Sequence, residues 1–175
     1  MSSTLLWSDS LALGLDVMDD THREFIALLK QVDQAAELDL LASWQRVVDH
    51  TQDHFDREDR WMRSTGFSSS NCHTMQHQVV LQVMREVAVQ VQQSKDSAML
   101  RDMSQQLGQW FLHHAQSMDA ALALHLRSAG FDPLTGIVNL PEALPADAIH
   151  GCGSSVRSPT AQAVAGATAE ADVMR

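Results

Sequence analysis

The chain has 175 residues, 45% of them hydrophobic and 19% charged, which is the size and balance of one globular domain with a core that needs no staples. Its formal charge of -10 opposes a phosphate backbone or an anionic leaflet, so neither nucleic acid nor a membrane is expected as a partner. No apolar run reaches the ~18 residues of a spanning helix, and the first residues lack the basic segment of a secretory signal, so the protein is expected in the cytoplasm. Cys72 and Cys152 form no CxxC pair and read as free thiols, Cys72 as a packed one. Nine histidines stand beside no tyrosine at all.

All four prolines, Pro133, Pro141, Pro145 and Pro159, fall after residue 130, which leaves the first 130 residues free to be helical. An N-terminal extended segment precedes four amphipathic patterns, each traced by apolar residues three or four apart. The first runs from about Asp19, which reads equally as an N-cap or as a residue tied to the following His22 site, to Glu37 through Phe25, Ile26, Leu29 and Val32. The second covers Leu40 to Ser64 through Trp44, Val47, Val48, Thr51, Phe55, Trp61 and Met62, with Gly66 as its stop. The third starts near Ser70 and carries Val80, Leu81, Met84, Val87 and Val91. The fourth extends from about Ser97 to Ala129, with Gly130 as its cap. Such helices with short connections predict an all-α, up-down-up-down four-helix bundle over residues 1–130. Residues 131–175 read as a mostly irregular tail, of which 131–149 are placed to pack on the body and the remainder is expected to be disordered.

The polar residues inside the apolar stripes carry the chemistry. His54 and Glu58 are four apart, a turn of ~40° and a rise of ~6 Å, so both project from the apolar face of the second helix. His73 and His77 repeat that spacing in line with Val80, Leu81 and Met84. His22 precedes the apolar run of the first helix, and His114 follows Trp110 by one turn, with Asp119 five residues later. Burying two carboxylates and five imidazoles together costs several kcal/mol for any charge left unpaired, roughly, even after relaxation. A metal centre removes that cost, and seven ligands exceed what one first-row ion takes. Imidazole and carboxylate suit iron, zinc, copper or manganese, with two ions bridged by the carboxylates and the histidines terminal.

The runs Trp7-Ser-Asp, Gly14-Leu-Asp, Asp19-Asp-Thr-His22, His54-Phe-Asp-Arg-Glu58, His73-x-x-x-His77 and Trp110-Phe-Leu-His-His114-x-x-x-x-Asp119 together resemble hemerythrin, specifically the bacterial hemerythrins, over residues 7 to about 126. The resemblance implies two non-haem iron ions bridged by Glu58, Asp119 and an oxo or hydroxo group. His73, His77 and His114 would ligate one iron and His22 and His54 the other, which keeps an open position for reversible dioxygen binding. A non-enzymatic, monomeric oxygen carrier, store or buffer is therefore expected. The alternatives are oxygen or redox sensing through a protein partner, and peroxide or nitric oxide chemistry or iron delivery for repair.

Two features depart from the regular pattern. Residues five apart diverge by ~140° on an α-helix, so His114 and Asp119 converge only if the helix widens into a π-type turn between them. Ala115 and Val80 stand where the family carries a bulky aliphatic and an aromatic, which predicts a smaller pocket wall and faster autoxidation. His50 is expected at the surface or behind a ligand. His113 points away from the site, and His125 and His150 show no partner pattern.

Overall fold

Residues 5–67 and 72–147 are described by the computed structural model. Four long helical stretches follow one another: α1 over Asp16–Gln34, α2 over Leu40–Ser64, α3 over Cys72–Ser94, and α4 over Ala98–His114. The last continues through a π-helical turn at Ala115–Asp119 into α5, Ala120–Ser128. Each helix packs on its neighbours in a ring, α1 against α2 and α4, and α3 against α2 and α4, with little contact across the α2–α4 diagonal. This is the expected four-helix bundle. Among the described residues the only β feature is an isolated antiparallel bridge between Phe131 and Val138.

The core is split in two by the polar residues. One apolar cluster gathers Phe25, Ile26, Leu29, Trp44, Val47, Val48, Met84, Leu107, Phe111 and Ala115; the other gathers Met18, Trp61, Met62, Phe67, Leu122, Leu126 and Phe131. Along α1 and α2 the site residues fall between these two sets, and in the fourth helical stretch Asp119 does so while His114 lies at the edge of the first set, so the bundle holds a polar layer between apolar ends. Trp44 is fully buried and its indole donates to the Met84 carbonyl at 3.0 Å, a core role that closes α2 on α3.

Helix ends follow their local chemistry. Gly66 at φ +68° and Gly130 at φ +57° adopt the left-handed conformation that ends a helix, with Phe67 N–H returning to the Met62 carbonyl and Phe131 N–H to that of Leu126. Asp19 is not an N-cap, because α1 begins three residues earlier. Its buried carboxylate instead reaches back to accept the backbone N–H groups of Leu13 at 2.7 Å and Gly14 at 3.1 Å, tying the N-terminal segment onto the helix. Arg127 completes that tie by donating to the Leu13 carbonyl. Arg101 of α4 donates to the carbonyls of Val32, Asp33 and Ala35, which satisfies the open C-terminal end of α1.

Beyond Gly130 the chain turns back over the end of the bundle. Phe131 is buried beside Trp61, and Asn139 and Leu140 pair by backbone N–H with Gly130 and Ala129. The expected disorder of the later tail, and the position of His150, lie outside the described residues.

The free-thiol reading of Cys72 is corrected: Cys72 is disulfide-bonded, and no free cysteine occurs among the described residues. Thiol titration of the unfolded chain is therefore expected to leave Cys72 unreactive before reduction and reactive after it. Two titrating groups without reductant would contradict the bond.

Candidate metal centre

Four helical stretches deliver the seven sequence-predicted residues to one buried place. α1 supplies His22, α2 supplies His54 and Glu58, α3 supplies His73 and His77, and His114 and Asp119 flank the π-helical turn. All seven are nearly or completely buried, with Glu58, Asp119 and His22 at 0% exposure. The π turn is the local solution to the five-residue spacing. By inserting a residue it rotates Asp119 back toward His114, whose Nε2 then lies 3.1 Å from Asp119 Oδ1.

Ligand-type atoms form two groups, each with members within 4.8 Å of one another: Glu58, His73, His77, His114 and Asp119 in the first, and His22, His54, Glu58 and Asp119 in the second. The two carboxylates belong to both. Glu58 Oε2 lies 3.4 Å from His73 Nε2 and 3.3 Å from His77 Nε2, while its Oε1 lies 3.7 Å from His54 Nε2. Asp119 Oδ1 lies 3.1 Å from His73 Nε2, and its Oδ2 lies 3.2 Å from His22 Nε2.

These groups converge without satisfying one another. Both carboxylate oxygens of Glu58 and of Asp119, and both ring nitrogens of His22 and His73, are buried with no well-angled hydrogen-bond partner. Orphaned buried acceptors of this kind cost about 1–3 kcal/mol each. His77 and His114 sharpen the point. Nδ1 of His77 faces Asp59 Oδ1 at 3.0 Å, and Nδ1 of His114 faces Gln76 Oε1 at 3.2 Å. Both Nδ1 atoms therefore donate, which leaves a lone pair on each Nε2 of the neutral rings, yet these two Nε2 atoms are 3.3 Å apart. A cation held by both lone pairs resolves that repulsion, so the residues fit a metal.

Without an ion, protons take its place. Burial opposes a charge on His73, but Asp119 and Glu58 beside it dominate and push its pKa up to about 10. His22 and His77 are raised too, against burial, by Asp119 and by Asp59 with Glu58 respectively. His54 goes the other way, lowered to about 4 chiefly by burial. Burial pushes both carboxyls up, and repulsion by Asp119 adds to it at Glu58, but the surrounding imidazoles win: Glu58 and Asp119 are held well below the usual carboxylate range.

Aromatic rings close the site. Phe111 meets His22 edge-on at 5.0 Å and Phe25 at 4.9 Å, Phe55 stacks on His77 at 3.8 Å, and Trp110 stacks on His114 at 4.4 Å. Ala115 is fully buried and Val80 partly so, both in the apolar cluster beside the site. His50 is half-buried behind α1, its Nε2 3.1 Å from the Thr21 carbonyl, and His113 is exposed. His125 has a partner that its spacing did not reveal, the Thr65 carbonyl at 3.1 Å. Sequence reasoning missed Asp59 and Gln76. Their partners lie one helix away, and only a helical wheel aligned across α2, α3 and α4 would have shown them.

A family model for the Hemerythrin HHE cation binding domain matches residues 13–124. The chain is 33% identical over 126 residues to the Bacteriohemerythrin of Ralstonia nicotianae, covering 72% of this chain and 91% of that protein. It is 32% identical over 129 residues to the Bacteriohemerythrin of Stenotrophomonas maltophilia, covering 68% and 79%. With that of Pseudomonas paraeruginosa it shares 29% over 120 residues, covering 66% and 77%. No solved structure matches. Family match, bundle and buried histidine–carboxylate cluster agree: this chain belongs to the hemerythrin family and is a hemerythrin-like iron protein.

Proposed function

We propose that this chain binds dioxygen reversibly at a di-iron centre and serves as an oxygen carrier, store or buffer, not as an enzyme. The observation that carries the reading is the unequal split of donors, three histidines in one group and two in the other, around two shared carboxylates. In this reading His73, His77 and His114 would hold one iron, His22 and His54 the second, and Glu58 and Asp119 would serve both. The side with only two histidines would leave its ion open to a small ligand.

Reduced iron supplies the electrons that dioxygen binding draws on; the chain's residues decide whether that step reverses. Five imidazoles and two carboxylates bring little negative charge, which disfavours high-valent iron and so favours release over oxygen activation. The family's di-iron carboxylate counterparts in other bundles place more carboxylates at the metals, with Glu-x-x-His motifs on two helices. Phe111 packs against His22 and Phe25 against Phe111, an apolar wall that would keep water from that side of the site. The chain's relatives, named Bacteriohemerythrin, support the same reading. Anaerobically reduced protein is expected to gain a visible charge-transfer band on exposure to oxygen and to lose it when oxygen is removed. Irreversible bleaching to a ferric state, with no band that cycles, would overturn reversible binding.

The small wall residues tune lifetime. Ala115→Leu is expected to slow autoxidation several-fold by restoring an aliphatic barrier to water. Because a larger side chain at a fully buried position strains packing by about 1–3 kcal/mol, Val80→Phe at the partly buried position serves as the second variant. Autoxidation unchanged in both, followed by loss of the oxygenated band in air, would contradict the pocket argument.

Sensing is favoured as a second reading by one observation: the disulfide-bonded Cys72 immediately precedes His73. A disulfide also fits an oxidising compartment better than the cytoplasm expected from the sequence. Oxygen affinity that shifts on reduction of that bond would move the weight toward sensing; an unchanged affinity would leave carriage.

A further inference from the structure

The seven converging residues are not held equally from behind. His114 Nδ1 faces a neutral amide oxygen of Gln76, and the Nδ1 atoms of His22 and His73 have no hydrogen-bond partner. His77 alone of these four has a carboxylate behind it, Asp59 Oδ1 at 3.0 Å. Asp59 is the residue after Glu58, and it turns out of the bundle core by one helical step while remaining only 18% exposed. The Thr74 hydroxyl, one helix away, lies 3.4 Å from the same oxygen. The Phe55 ring lies almost parallel to the His77 ring, at 7°. His77 is therefore fixed both in its plane and about its axis. Asp59 stands at the foot of a cleft of about 310 Å³ between α2 and α3, beside Asp56, Gln82 and Arg85.

We infer that Asp59 is a positioning residue for the metal centre, fixing His77 with Nδ1 as donor and Nε2 turned inward and strengthening that nitrogen as a ligand. A carboxylate that accepts the outer N–H of a metal-bound imidazole increases the electron density at the other nitrogen, and loss of such a partner weakens metal binding by about 10–100-fold. The two ions should then differ. The ion of the His73, His77 and His114 group is held more tightly, because one of its ligands is anchored by a charge. This inference rests on the two-metal part of the proposed function and is independent of dioxygen.

Cobalt(II) tests it without the complication of oxidation. The full chain is loaded with cobalt alone, and release of each ion to a chelator is followed in the wild type, Asp59→Asn, Asp59→Ala and Asp56→Asn. Asp59→Asn keeps the shape of the side chain, and Asp56→Asn removes a charge from the same cleft at a residue bonded to Gln52 and not to His77. Both Asp59 variants are expected to release one ion about 10–100-fold faster, more for alanine than asparagine, with the absorption of only that ion altered. Asp56→Asn is expected to release both ions as the wild type does. Wild-type release from both Asp59 variants overturns the inference, and so does an equal effect of Asp56→Asn. A wild type that takes up two cobalt ions but, when loaded with iron instead, fails to bind oxygen reversibly would sink the oxygen reading alone; one that takes up no pair of ions would sink both.

Discussion

Glu58→Ala is expected to end the chain's capacity for two ions and leave at most one, weakly held. Glu58 is the fully buried carboxylate whose Oε2 meets His73 and His77 while its Oε1 faces His54, so its removal strips a donor from both groups at once. Breaking a buried charge pair by deleting one partner costs about 3–5 kcal/mol, and a loss of that size in binding energy corresponds to roughly a 10²–10⁴-fold loss of affinity. The same deletion reaches the metal-free protein. His73 and His77 lose a carboxylate that supports their protonated forms, and two buried cations remain with less to balance them. Glu58→Gln separates charge from shape, since it preserves the side-chain volume and one oxygen. Calorimetric titration with metal checks both variants, and two ions bound at wild-type affinity by Glu58→Ala would refute a spanning role for this residue.

Removing the metal is expected to lower stability strongly, and by an amount that grows with pH. At free metal about 1,000-fold above the dissociation constant, each ion contributes about 4 kcal/mol, or a shift of about 8–16 °C for a domain of this size. The pH dependence follows from the histidines. His73, raised to about 10, and His22 and His77, also raised, are protonated more readily in the folded than in the unfolded chain. The stability they add is therefore complete below the unfolded value of about 6.5 and is lost as pH rises toward 10. His54, lowered to about 4, and His50 and His125, also lowered, act in the opposite sense. Their contribution is complete above about 6.5 and is lost as pH falls toward 4. Below that, protonation of Glu58 and Asp119 removes the depressed carboxylates' share. Metal-free protein should thus be most stable near pH 6.5 and weaken on both sides. Metal displaces the protons of His22, His73 and His77, so the loaded protein escapes the alkaline loss, and loading at pH 8 releases protons. Denaturation curves of both forms between pH 5 and 9 check this, and a gap between them that shrinks as pH rises would contradict it.

Helix periods were legible because the apolar stripes are long and nearly uninterrupted, and the polar residues within them stood out for the same reason. His54 with Glu58, and His73 with His77, carry the signature of a shared helical face. The π turn was also legible, since the spacing of His114 and Asp119 fits one site only on a widened helix, and the widening occurs at Ala115–Asp119. What stayed hidden depends on contacts across the bundle. Asp19 looks like a cap because an acidic residue near a helix start has the same local pattern whether it caps its own helix or, as here, binds Leu13 and Gly14. Cys72 gave no hint of its bond, because pairing of distant cysteines leaves no spacing rule. Asp59 meets a histidine 18 residues away on another helix, and no periodicity marks such a pair. Phe131 lies beyond the last helix cap yet fills the end of the apolar layer near Trp61, so burial extends past the point where the helical pattern stops.

The most direct measurement is an anaerobic equilibrium titration of the metal-free full chain with ferrous iron, counting bound iron per chain. The two donor groups sharing Glu58 and Asp119 predict saturation at two ions, with the second lost when either carboxylate is removed. Saturation at one ion, or none, would contradict a two-metal centre and with it the assignment of all seven residues.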